Sequence, residues 1–125
     1  MINLDHIILR VRNIARSVDF YKNIVGLTHA GSANPFEVMR VNSSLNIDLL
    51  EDTPKESSHL AFALDKTGFN ALHGRLVAAN IPIGGGVFAR DGRISENEFG
   101  AQGLAKAFYF YDPDQHNLEA RLYEK

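Results

Sequence analysis

This sequence predicts an α+β fold made of two strand–helix–three-strand modules (βαβββ), and three observations carry that prediction. The order of elements read over residues 4–50 recurs over residues 58–122. A histidine stands near the start of the first strand in each half, His6 and His59. A carboxylate interrupts the apolar last strand of each half, Asp48 and Glu119. Identity between the halves is low, but the order of elements and the polar exceptions agree, as in an internal duplication. The 125 residues form a single domain, with module 1 at about 1–52 and module 2 at about 57–125.

Each element follows from local pattern. Leu4 to Arg12 alternates, with Ile7, Leu9 and Val11 on one face and His6, Ile8, Arg10 and Arg12 on the other. Asn13 can cap a helix whose apolar positions are Ile14, Val18, Tyr21 and Ile24, and Gly26 can end it in the left-handed conformation. Strands are expected at about Leu27 to Gly31, Phe36 to Val41 and Leu45 to Leu50, with turns at Asn34-Pro35 and Asn42-Ser43-Ser44. Glu51 to Ser58 is a polar linker. In the second half, Ser58 to Leu64 is a strand, and Asp65 can cap a helix through Phe69, Leu72, Leu76 and Ala79 that Asn80 ends. Ile81 to Val87 and Ala105 to Tyr111 read as strands, followed by the strand holding Glu119. Phe88 to Leu104, charged and glycine-containing, reads as a loop that closes over a substrate site. His116 lies in the polar turn after Tyr111 and is expected to be exposed. Tyr109, Tyr111 and Tyr123 read as core or rim packing.

Composition narrows the function. Apolar residues make up 45% of the chain, enough for a core, and the formal net charge of −2 gives no basic footprint for nucleic acid. No apolar run approaches the roughly 20 residues that span a bilayer. Without cysteines, thiolate ligation and disulfides are unavailable. The expectation is a cytoplasmic protein acting on a small molecule, with neither nucleic acid nor membrane as partner.

The polar exceptions point to one divalent metal ion. A carboxylate inside an apolar strand must be paired, hydrated or bound to a cation. If the halves are related by a pseudo-twofold, His6, Asp48, His59 and Glu119 converge. Two imidazoles with one or two carboxylates suit Zn, Fe(II), Mn, Co or Ni and leave positions open for water or substrate. Asp48 is either a ligand or the ion-pair partner of Arg10. Arg10 and Arg121 follow His6 and Glu119 by two residues, so each either holds an anionic substrate group or forms a salt bridge with Asp48 or Glu119.

The blocks His6-Ile7-Ile8-Leu9-Arg10-Val11, Ser17 to Leu27, Ser58-His59-Leu60-Ala61-Phe62 and Tyr111 to Glu119 resemble the vicinal oxygen chelate superfamily. That group includes glyoxalase I, extradiol dioxygenases, fosfomycin-resistance proteins and metal-free bleomycin-binding proteins. The resemblance spans almost the whole chain. It implies a glyoxalase/bleomycin-resistance/dioxygenase fold and a metal that the substrate chelates through adjacent oxygens. It places His6, His59 and Glu119 at the three metal-binding positions, and Asp48 where glyoxalase I has a ligating, proton-transferring glutamate. Tyr109 to Asn117 is closest to the fosfomycin-modifying enzymes, although Ala120-Arg121-Leu122 stands where they carry His-Thr-Gly. Asp48, Arg10 and Arg121 are the catalytic candidates. A glyoxalase- or dioxygenase-like enzyme is the first reading, a fosfomycin-resistance-type transferase or hydrolase the second, and a non-catalytic drug- or metabolite-binding protein the third. A four-stranded half leaves sheet edges and one face unpaired. Together with the habit of small superfamily members, this predicts a homodimer whose sites are shared between chains.

Overall fold

The computed structural model describes residues 1–124. The chain divides into two compact units, Met1–Glu56 and Ser57–Lys125. Each has the same plan: one four-stranded sheet, with the first strand beside the last and parallel to it.

In the first unit the sheet order is β1-β4-β3-β2, from β1 (His6–Val11), β2 (Thr28–Ala33), β3 (Phe36–Asn42) and β4 (Leu45–Glu51). Asn13 caps α1 (Ile14–Asp19) by accepting the Arg16 N–H, and a π-helical turn, Phe20–Val25, continues it to Gly26 at φ 94°. Residues directly opposite across a strand pair share a face. Ile7 and Leu9 stand opposite Ile47 and Leu49, and this face, with Val11 and Met39, packs with Phe20, Tyr21 and Val25 as the core. The other face carries His6, Ile8 and Arg10 opposite Asn46, Asp48 and Leu50. On β2 and β3 the Glu37 carboxylate accepts Ser32 Oγ at 2.5 Å and meets His29 Nε2 at 2.8 Å. These two contacts hold its pKa below the ordinary 4.5. A depressed carboxylate contributes stability above its unfolded pKa and loses it as pH falls through the folded value. In a thermal melt series from pH 7 to pH 3, Glu37→Gln is therefore expected to flatten the acid limb below about pH 4.5. A limb as steep as that of the unaltered chain would show that Glu37 contributes nothing there.

The second unit is ordered β5-β8-β7-β6, from β5 (His59–Ala63), β6 (Ser95–Gly100), β7 (Gly103–Tyr111) and β8 (Asn117–Leu122). Asp65 caps α2 (Lys66–Ala78) by accepting the Gly68 N–H, and Asn80 follows the helix at φ 57°. Phe69, Leu72 and Leu76 of α2 are buried, as are Phe108 and Phe110 of β7, with the Phe69 and Phe108 rings 4.9 Å apart. Each fully buried phenylalanine contributes about 1.5–3 kcal/mol of transfer free energy. No helix among the described residues is long and apolar enough to cross a membrane.

Two expectations for this unit are corrected. Ile81–Val87 is not a strand; only Gly84 bridges, exchanging both backbone hydrogen bonds with Tyr109. The second strand of the unit instead lies inside the stretch expected to be a loop, as Ser95–Gly100 paired antiparallel with β7. Its alternation of Ser95 and Asn97 with Glu96 and Glu98 has the period of a strand but almost no apolar residue, because the strand is an edge with one polar face.

His116 is a third correction, being buried rather than exposed. Asp112 Oδ1 accepts the N–H groups of Asp114 and His116, both at 2.8 Å, and Gln115 at φ 65° turns the chain. The turn then folds onto the start of β5: Ser58 N–H donates to His116 Nδ1 at 3.0 Å, and Ser57 Oγ donates to the Gln115 carbonyl. This polar turn therefore fixes where His59 begins its strand.

Candidate metal centre

Strand register brings His59 and Glu119 together. His59 lies opposite Asn117 on the parallel neighbour β8, so Glu119, two residues on, shares its face. From the other side Tyr109 of β7 stands directly opposite Glu119. These three, with Gly85, Val87, Asn97 and Phe99, line a cavity of about 390 Å³ in the second unit.

The hydrogen-bond partners settle which nitrogen of His59 faces the cavity. Nδ1 lies 2.9 Å from the Asn117 carbonyl oxygen, which only accepts, so Nδ1 carries a proton. Nε2 then points at Glu119 Oε1, 3.1 Å away. Both atoms are acceptors unless a cation lies between or beside them. A proton there makes His59 an imidazolium. A divalent metal there takes both as ligands, and donors 3.1 Å apart suit bonds of about 2.0–2.2 Å to one ion. The ring is oriented as in metal sites where the second nitrogen is held by an outer acceptor.

Glu119 is 4% exposed and is anchored on its far side, where Oε2 accepts Arg121 at 2.6 Å. The remaining Arg121 N–H groups donate to Tyr123 Oη, Asn97 Oδ1, the Asn97 carbonyl and the Gly103 carbonyl. All five guanidinium donors are used, so the salt bridge, not a substrate contact, is the role this residue fills. Tyr109 Oη accepts a hydrogen bond from Asn97 Nδ2 at 3.2 Å, and the ring stacks on His59 at 6.2 Å. Burial, and then the Glu119 charge, push the Tyr109 phenol pKa up. It stays a neutral hydrogen-bonding group.

The first unit repeats this register. His6 lies opposite Asn46, and Asp48 is two residues on, as Glu119 is from Asn117. His6 is exposed, and its Nδ1 is 2.7 Å from Asp5 Oδ2, a contact that raises its pKa, as does the charge of Asp48. Nε2 is again the nitrogen left for a ligand. Arg10 pairs with Asp52, its Nε donating to Oδ2 at 3.1 Å. Among the described residues no three His, Asp or Glu side chains form a group able to hold a metal.

The description "Glyoxalase/Bleomycin resistance protein/Dioxygenase superfamily" belongs to the family whose sequence pattern matches residues 3–120. The chain belongs to that superfamily. This superfamily member is 26% identical to the metallothiol transferase FosB of Lysinibacillus sphaericus, over 94% of this chain and 79% of the relative. Among solved structures it is similar to the oxidase ChaP-H2, with a TM-score of 0.86 and 25% identity over 98% of this chain and 94% of that one. It shares its fold with the fosfomycin resistance protein FosX of Listeria monocytogenes, at a TM-score of 0.73 and 20% identity, covering 99% and 95% of the two chains. The βαβββ modules expected from sequence are thus those of its superfamily.

Three neighbours of the site escaped the sequence reading. Tyr109 was legible in principle, since Tyr109 and Tyr111 fall on the Glu119 face once β7 and β8 are paired. Asn97 was hidden by reading its strand as a loop. His116 acts through backbone contacts with residues 57 and 58, and no local pattern encodes those.

Proposed function

We propose that this chain is a divalent-metal-dependent enzyme acting on a small substrate that chelates the ion through adjacent oxygens. His6, His59 and Glu119 are its metal ligands, and Asp48 is a fourth ligand or lies one water away. The observation that carries this reading is the His59 Nε2–Glu119 Oε1 pair, with Nδ1 already committed and the carboxylate buried. Bound Zn, Fe, Mn, Co or Ni would supply Lewis-acid stabilisation of negative charge developing on a substrate oxygen. The chain's own groups do the rest. The cavity of about 390 Å³ suits a small molecule. Tyr109 and Asn97 offer hydrogen bonds at its wall, and exposed Arg10, on the His6 face, is the arginine for an anionic substrate group.

The same reading includes a homodimer. Each unit presents one histidine and one carboxylate at matching register, so two chains related by a twofold supply two complete sets of four donors. His6 and Asp48 of one chain would meet His59 and Glu119 of the other. A second reading, thiol transfer of the fosfomycin-resistance type, is favoured by the likeness to the metallothiol transferase.

The test is metal analysis of protein purified without chelator or nickel affinity, then titration with each candidate ion. About one ion per chain is expected, falling to none in His59→Ala. Turnover of catechols, of hemithioacetals, or of fosfomycin with a thiol then separates the reactions. A chain that binds no divalent ion would be a binding protein, and the enzyme reading would be lost.

A further inference from the structure

We infer that Arg121 is a positioning residue that restricts Glu119 to one metal-binding oxygen and keeps the centre more electrophilic than its ligand set alone would make it. This inference rests on the metal-dependent reading above. Four observations support it. Arg121 holds Oε2 at 2.6 Å, while Oε1 faces His59 at 3.1 Å, so the two carboxylate oxygens have separate occupations. All five N–H groups of the guanidinium are engaged, one by Glu119 on β8 and four by acceptors on β6, β7 and beyond β8, so its orientation is over-determined. The chain makes room for it at Gly100, where a Cβ would lie 2.3 Å from Arg121 Nε and 2.0 Å from Tyr123 Oη.

The fourth observation is the repeat itself. Arg121 stands opposite Ala63 in the second unit, and the matching pair in the first is Leu50 opposite Arg10. The module therefore builds this strand with a leucine at the same register. The buried arginine answers to Glu119, not to the fold. Its chemical consequence is electrostatic. Glu119 and Arg121 together are neutral, so an ion on Oε1 gains less anionic charge from the protein than from a lone carboxylate, and only one oxygen can reach it. Affinity is lowered, and the pull on a substrate oxygen is kept.

Zn(II) titrations of the full chain against a chelating dye test this, on unaltered protein, Arg121→Gln and Arg121→Lys, with metal-free melting temperatures beside them. Arg121→Gln is expected to melt lower yet bind Zn(II) at least about tenfold more tightly, because the Glu119 charge is no longer offset and its second oxygen is released. Arg121→Lys keeps the charge and is expected to stay within about threefold of the unaltered chain. A merely structural arginine would lower melting temperature and affinity together. Folded Arg121→Gln with equal or weaker affinity overturns the inference and leaves the metal reading standing. Unaltered protein that binds no Zn(II) removes the metal reading itself. If Arg121→Gln does not fold, a crystal structure of the unaltered chain with Zn(II) decides: Oε1 alone on the ion, with Oε2 still on Arg121, supports the inference, and both oxygens on the ion overturns it.

Discussion

His6→Ala and His59→Ala chains, each without tight metal binding alone, are expected to recover metal when mixed and allowed to exchange subunits. Losing one imidazole from a small ligand set should weaken binding by well over the roughly 10–100-fold typical of an outer-sphere lesion. In a mixed dimer with shared sites, the His6→Ala chain still supplies His59 and the His59→Ala chain still supplies His6. One site is then intact, and both lesions collect in the other. Random exchange makes half the dimers mixed, so roughly a quarter of all sites should refill. Metal content and any substrate turnover should rise together as exchange proceeds. No recovery despite proven exchange would sink the sharing of sites, while leaving a metal site confined to one chain. A monomer in solution would do the same.

Gly84→Ala is expected to destabilise the fold by about 3 kcal/mol or more, the upper range for overpacked positions. A Cβ at Gly84 would sit 1.8 Å from the Ala89 carbonyl oxygen and 2.7 Å from Arg90 Cα, which are backbone atoms and cannot rotate away. Relief would mean moving either the 84–92 segment or Gly84 itself, which exchanges two hydrogen bonds with Tyr109. That segment is also tied down by Arg90, which donates to the Gly86, Val87 and Ala89 carbonyls and lies 3.8 Å over the Tyr111 ring. Since Gly85 and Val87 line the cavity, the damage should reach the site as well. Chemical denaturation of Gly84→Ala beside Gly86→Ala, whose Cβ would meet only the Ala89 Cβ at 3.6 Å, separates steric clash from loss of a glycine. Equal losses for the two would refute the close-approach explanation.

Much of this architecture is local chemistry, and so was legible in the residues. Asn13 and Asp65 cap their helices through the side-chain oxygens that mark them as caps, and Gly26 takes the positive φ that ends the first helical segment. Period-two alternation places Leu9 and Val11 inward and His6 and Arg10 outward. His6 and His59, with Asp48 and Glu119, stood out because polar groups in apolar strands are costly without partners. Pattern failed where pairing, not composition, makes the strand. β6 is polar but for Phe99 and exists because β7 offers it an edge, while Ile81–Val87 has the apolar content of a strand but glycines and a proline that leave one bridge.

The element order, the duplication and the candidate ligands follow from each residue's own propensity and from spacing along the chain. The partners of those residues come from folding. It assigned the Glu119 carboxylate to both His59 and Arg121, moved Arg10 onto Asp52, and buried His116 against Ser58. The physical reason is that an ionic or hydrogen-bonded pair is selected by register across strands. His59 and Glu119 lie 60 residues apart in the chain, yet their nitrogen and oxygen stand 3.1 Å apart in the sheet. Nothing in the local sequence of either residue carries that distance.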